Sequence, residues 1–198
     1  MTADPYFFGY GSLVNSATHD FADPHPAVLS GWARAWRHTD LRPVAFLTAV
    51  PSPGTRIDGM IARVPKGDWK ALDQREWAYD RVPATAAVTH MLPDNPEVAV
   101  YAVAERRHTV PSDLYPILLS YLDVVVQGFL RHYGEEGVNR FFETTLGWDS
   151  PVLDDRAAPK YPRHQQLSAT ETACVDTRLS QLGVRIIDQI DSSRFNPV

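Results

Sequence analysis

The chain has 198 residues, of which 44% are hydrophobic and 22% charged, and a formal net charge of −5. That size and balance fit one globular domain, or one with an elaboration, and exclude a disordered or fibrous chain. The acidic balance gives no electrostatic reason to bind nucleic acid or an anionic membrane, and the single cysteine, Cys174, excludes an intramolecular disulfide.

The start, MTADPYFF, lacks the basic residues and apolar run of a secretory signal, so a cytoplasmic protein is expected. Tyr6–Gly9 reads as a short buried strand that runs into a glycine loop, GYGSL. Residues 28–41 alternate large with small or polar side chains, as a half-buried strand does. AFLTAV (45–50), a PSPGT turn (51–55) and IDGMIARV (57–64) then read as strand, turn and strand, which points to an antiparallel sheet or small barrel.

Residues 68–79, DWKALDQREWAY, break this pattern and read as a helix with Asp68 as N-cap. Strands are expected at 81–92 and 97–104. Helices are expected at 113–132, at 134–148 and at 168–183, the last ending at Gly183. A proline-rich connection, DSPVLDDRAAPKYPRH, lies between the last two. The expected fold class is α+β: a small mixed or antiparallel β-barrel over residues 1–108, then a helical elaboration over 109–198 packed on the same domain.

Three chemistries suit a glycine loop after a buried strand. A dinucleotide site would need a third glycine and a crossover helix, and both are missing. Ser12 as a nucleophile would need glycine two residues on, where Val14 stands. The loop that remains is one whose backbone amides hold a carboxylate or a developing oxyanion, with Gly11 allowing the turn. The seven histidines form no metal-ligand spacing and read as scattered surface residues, so neither metal nor other cofactor is expected.

In the 68–79 helix, Trp69, Leu72, Asp73 and Glu76 share one face. With Trp69 and Leu72 turned inward, Glu76 would sit at the core's inner edge, where burial raises a carboxyl toward the range useful for proton transfer. The plainer alternative is a Glu76 salt-bridged to Arg75 or Arg81, or solvated beyond the helix end. Further on, Arg156, Tyr161 and Arg163 could reach over the barrel mouth to bind a substrate carboxylate, or the segment could simply pack along a surface. Phe141–Phe142 and Trp32/Trp36 read as core packing.

Four motifs in order resemble a family. FGYGSL (8–13) resembles the Y-G-S-[LN] substrate loop of the γ-glutamylcyclotransferases, ChaC-type enzymes included, and LSGWARAW (29–36) is similar to their G-[YW]-x-R strand. IDGMIARV (57–64) looks like the strand before their catalytic helix, and LDQREWAYDRV (72–82) resembles the segment where L-D-x-x-E precedes a tyrosine and an arginine. The resemblance covers about the first 105 residues and implies a small mixed barrel flanked by helices.

It also implies a reaction, in which the free amine of a γ-glutamyl group attacks its own γ-carbonyl to give 5-oxoproline and a released amine. Glu76 maps onto the family's catalytic glutamate; Tyr10, Gly11, Ser12 and Leu13 map onto its substrate loop, with Tyr79 and Arg163 as further binding candidates. The expected partner is a small γ-glutamyl compound, without nucleic acid or membrane, and the sequence leaves the oligomeric state open. Where ChaC-type enzymes carry Gly-Gly, Trp77 and Ala78 stand here. A barrel that binds such ligands or a protein without turnover, and an amide hydrolase relative, are the alternatives.

Overall fold

The computed structural model describes residues 4–109 and 115–189. In chain order its regular elements begin with β1 (Tyr6–Gly9), β2 (His25–Arg37), β3 (Phe46–Arg63) and α1 (Lys70–Arg75). They continue with β4 (Asp80–Pro83), β5 (Val88–His90), β6 (Val98–Ala102), β7 (Ile117–Leu118) and α2 (Leu119–Thr144). The last are β8 (Thr145–Leu146), β9 (Val152–Leu153), α3 (Ala169–Leu182) and β10 (Ile186–Ile187).

One mixed sheet carries the strand order β4-β6-β1-β3-β2-β5, with β8 added parallel to β2. β1 is its centre, antiparallel to β3 and parallel to β6, which is why YFFG is buried on both faces. The expected 81–92 strand is divided. Pro83 and a 3₁₀ turn at Thr85–Ala87 interrupt it, and β4 and β5 finish at opposite ends of the strand order. Consecutive strands at the two ends of one sheet mean that the sheet curls, giving a half-barrel in an α+β fold.

The expected turn at 51–55 does not reverse the chain. β3 is one bent strand, antiparallel to β2 on either side of a register shift that leaves 52–55 outside the ladder, opposite Gly31. Neither Pro51 nor Pro53 has an N–H to donate to a ladder, so that stretch is extruded as a bulge.

α2 crosses the sheet, and its Leu122, Val125, Val126 and Phe129 join Phe8, Leu29, Ile57 and Ile61 in the main core. Burying each such side chain stabilises by roughly 1.5–3 kcal/mol. The expected helices at 113–132 and 134–148 correspond to the two arms of α2, broken at Gly134 with φ 63°, ψ −167°; the second arm stops at Thr144, where β8 begins, and residues 113–114 lie outside those described. The backbone at Gly134 suits glycine alone. The first arm begins only at Leu119, because Ile117–Leu118 pair with β9 in a small parallel sheet that β10 completes. α3 starts at a capping box, with Ser168 and Glu171 exchanging side-chain and backbone bonds, and stops at the left-handed Gly183. Phe141, Phe142 and Trp36 are core residues as expected. The histidines are not all superficial: His38 is buried against Ser150 at 2.9 Å. Among the described residues no helix is long and apolar enough to cross a membrane, and no three His, Cys, Asp or Glu cluster to hold a metal.

Candidate active site

The glycine loop leaves β1 and closes a 3₁₀ turn, Ser12–Val14, whose first amides have no acceptor within the turn itself. It is anchored on three sides. Tyr10 packs in the main core and donates its hydroxyl to the Tyr101 carbonyl at 2.6 Å. Leu13 packs in a second cluster with Phe7, Val64 and Leu72. Asn15 donates to the Val124 carbonyl and to Gln127, both on α2, at 2.9 Å each.

Arg34 of β2 also holds the loop. Buried Arg34 donates Nε to the Tyr10 carbonyl at 3.0 Å, a second nitrogen to the Asp58 carbonyl, and a third to Thr144 Oγ1 at 3.1 Å. Its guanidinium lies over the Phe129 and Phe141 rings. Burial pulls its pKa down; these acceptors and π-faces offset part of that cost.

Gly11 is needed for a different reason than the expected turn. Its φ is −120°, a value open to other residues, but a Cβ there would stand 2.6 Å from the Tyr121 hydroxyl. Tyr121, from the first turn of α2, thus lies directly against the loop backbone. Its ring meets Trp36 and Tyr161 edge-on.

α1 is shorter than the expected 68–79 helix. Asp68 does accept from the Lys70 amide at 3.1 Å, but Trp69 is the N-cap and the helix ends at Arg75. Glu76 is its C-cap, and a turn closed from the Tyr79 amide to the Glu76 carbonyl carries the chain on. The shared face holds: Leu72 is fully buried, Trp69 packs against Tyr101, and Asp73 bonds the Tyr101 hydroxyl and Arg81. Arg81 is therefore occupied by Asp73.

Glu76 is both buried and paired. Its side chain is 15% exposed, and Arg75, 8% exposed, donates Nε to Oε1 at 3.1 Å. The same guanidinium reaches Ser12 Oγ at 3.4 Å, Thr18 Oγ1 at 3.1 Å and the Thr18 carbonyl at 2.8 Å. One cation therefore ties the carboxylate to the glycine loop. Loss of water pushes the Glu76 carboxyl above its ordinary range, with Arg75 and, more weakly, Arg163 pulling it back.

Between Glu76 and the loop lies open space. A cavity of about 400 Å³ is lined by Ser12, Glu76, Tyr79, Tyr121, Tyr161 and Arg163, among others. A recess of about 30 Å³ shares Ser12, Glu76, Tyr79 and Tyr121 with it and adds Tyr10, Gly11 and Leu13. All seven residues expected at the site from sequence thus border this space. Tyr79 gives its hydroxyl to the Leu47 carbonyl at 3.0 Å. Burial holds Tyr10, Tyr79 and Tyr121 as neutral phenols, raising each pKa. Arg156, by contrast, does not reach the cavity. It clamps Asp123 of α2 through two bonds of 2.8 Å and Asp176 of α3 at 2.7 Å, so its role is structural. Sequence reasoning missed Tyr121, whose one signal was a tyrosine in an otherwise apolar stretch, and the loop-facing roles of Arg34 and Arg75.

A curled mixed sheet, a glycine loop and a buried carboxylate across one cavity define a fold with known members. The profile described as "Gamma-glutamyl cyclotransferase, AIG2-like" matches residues 7–133, and the chain belongs to that family. Among solved structures, one described as a γ-glutamyl cyclotransferase superposes with a TM-score of 0.54 at 12% identity, covering 88% of this chain and 99% of that one. An uncharacterized protein from Homo sapiens gives 0.53 at 13% identity, over 87% and 98%. YkqA from Bacillus subtilis gives 0.52 at 19% identity, over 74% of this chain and 57% of its own. These likenesses establish the fold. The comparison with curated proteins returns no match.

Proposed function

We propose that the protein is a cofactor-independent γ-glutamylcyclotransferase in which Glu76 moves the protons. The observation that carries this is Glu76 itself: a carboxyl stripped of water, ion-paired to Arg75 and facing the glycine loop across the cavity. The attacking amine of a γ-glutamyl group is mostly ammonium at neutral pH. Glu76 takes its proton, the amine nitrogen bonds to the γ-carbonyl carbon, and the carbonyl oxygen becomes an oxyanion. The bond from that carbon to the leaving nitrogen then breaks as Glu76 returns its proton there, the ring nitrogen gives its second proton to the departing amine, and 5-oxoproline and the amine, now an ammonium, depart.

A raised pKa suits both halves of this exchange, since a stronger base is also ready to act as an acid near neutrality. The Ser12 and Leu13 amides that open the turn, and the neutral Tyr121 hydroxyl against the loop, are assigned as donors to the oxyanion; the Val14 amide is already given to the Gly11 carbonyl. Arg163, on the same cavity, is assigned the α-carboxylate of the glutamyl group. Because nucleophile and carbonyl belong to one molecule, the site mainly fixes a near-attack conformer. Arg75 is a positioning residue that keeps Glu76 aimed at the loop.

Glu76→Gln should lower turnover by about 10²–10⁴-fold with the fold intact, read as 5-oxoproline by mass spectrometry. Turnover close to normal in that variant would overturn the assignment. Glutamate as product would indicate hydrolysis, and binding without product a ligand-binding barrel.

A further inference from the structure

The larger cavity runs beyond the residues it shares with the recess at Glu76. That extension is lined by Phe46, Trp77, Leu118 and Pro162, together with the cations Arg42 and Lys160. Trp77 is 48% exposed there, and the Arg42 guanidinium sits 5.0 Å from the centre of its ring. The ion pairs among the described residues do not include Arg42. An exposed indole beside a cation without an ion-pair partner, inside a cavity, is a surface that a ligand with a flat apolar body and an anion would cover.

We propose that this extension is the leaving-group subsite and that it selects γ-glutamyl derivatives of aromatic α-amino acids. The inference rests on the cyclotransferase reading above. In such a leaving group one carbon bears the scissile nitrogen, the carboxylate and the arm that carries the ring. The elements that read carboxylate and ring must therefore be neighbours, as Arg42 and Trp77 are, and both line the cavity that holds Glu76. The carboxylate pairs with Arg42, and the ring lies among Trp77, Phe46 and Pro162. Arg42, Lys160 and Arg163 all line the cavity, so a leaving amine with a second positive charge is repelled.

The test is a four-substrate series scored for 5-oxoproline: γ-glutamyl-phenylalanine, γ-glutamyl-alanine, γ-glutamyl-phenethylamine (the same ring without its carboxylate), and the γ-glutamyl derivative of a diaminoalkane. The phenylalanine compound should exceed each of the others in kcat/KM by roughly 10-fold or more. Arg42→Gln should bring the phenylalanine-to-phenethylamine ratio near one, and Trp77→Ala the phenylalanine-to-alanine ratio. Equal rates across the wild-type series, or a diaminoalkane derivative cleaved best, would overturn the subsite while leaving the cyclotransferase standing. If no compound yields 5-oxoproline, it is the reaction that fails. The same four compounds titrated calorimetrically into the wild-type protein then decide the subsite, with the same order of affinities expected and equal affinities refuting it.

Discussion

Replacing Gly11 by alanine tests the contact on which the site's geometry turns. The new Cβ would lie 2.6 Å from the Tyr121 hydroxyl and 3.3 Å from Leu47 Cδ2. Ordinary contact begins near 3.4 Å, so the hydroxyl must retreat by about 0.8 Å (3.4 less 2.6) or the loop must lift by as much. Neither movement is free. The Tyr121 ring is fixed edge-on between Trp36 and Tyr161, at 6.0 and 5.0 Å between centres, and the loop is held by Arg34 and Asn15. Overpacking of this kind costs about 1–3 kcal/mol, and a displacement near 1 Å at a reacting centre costs up to roughly 10²-fold in rate. Thermal unfolding and 5-oxoproline release should both register the change. Tyr121→Phe in the Gly11→Ala background removes the clashing oxygen, so it should restore most of the stability while leaving activity low for want of the hydroxyl. An unchanged melting temperature in Gly11→Ala, or no stability recovered in the double variant, would refute the contact.

Glu76→Gln should also change how stability depends on pH. A carboxyl whose folded pKa is raised binds its proton more tightly in the native state, so native stability falls as pH rises through the window from the ordinary value to the raised one. Above that window the cost is fully present. Glutamine never ionises, so the variant's melting temperature should exceed the wild type's near pH 8, with the difference closing below about pH 4; a constant difference at both would contradict the buried carboxylate. Arg156→Met should separate structure from binding. Removing the partner of buried Asp123 should cost roughly 2–3 kcal/mol, discounted for the half-exposed arginine, with KM unaltered. Arg163→Met should do the reverse, raising KM with little effect on melting. Matching behaviour of the two would mean that the cavity has been assigned the wrong arginine.

What could be read from the sequence was whatever short stretches determine by themselves. β1 and its glycine loop announced themselves because an apolar run meeting two glycines has few structural outcomes. The inward place of Glu76 was legible through the spacing of Trp69, Leu72 and Asp73, even though the helix proved only six residues long, and its pairing with Arg75 was the plainer reading; the role proposed for it came only from the family resemblance. The rest depended on contacts between distant segments. That 81–92 would divide between the two ends of the strand order is decided by which strands remain unpaired, not by its own residues. PSPGT carries turn composition, but the long β2–β3 ladder overrides it into a bulge. Arg156 and Arg163 look alike in DDRAAPKYPR; only the acids of α2 and α3, far off in the chain, claim the first and leave the second at the cavity. Tyr121 was invisible for the same reason, since its partner Gly11 lies more than a hundred residues upstream.

The amide bonds of Asn15 have a dynamic consequence. Asn15 holds Gln127, and Gln127 in turn donates to Glu171, the residue that closes the capping box of α3. The glycine loop, the long helix and the last helix are thus successive links of one polar chain that starts beside the cavity and ends at a helix start. Opening of the loop should then be coupled to fraying of α3, and Gln127→Ala should break that coupling as read by hydrogen exchange. Amide protons of residues 11–15 would exchange on the timescale of that remote terminus, and solvent would reach the cavity floor at a rate set by a helix that touches no substrate.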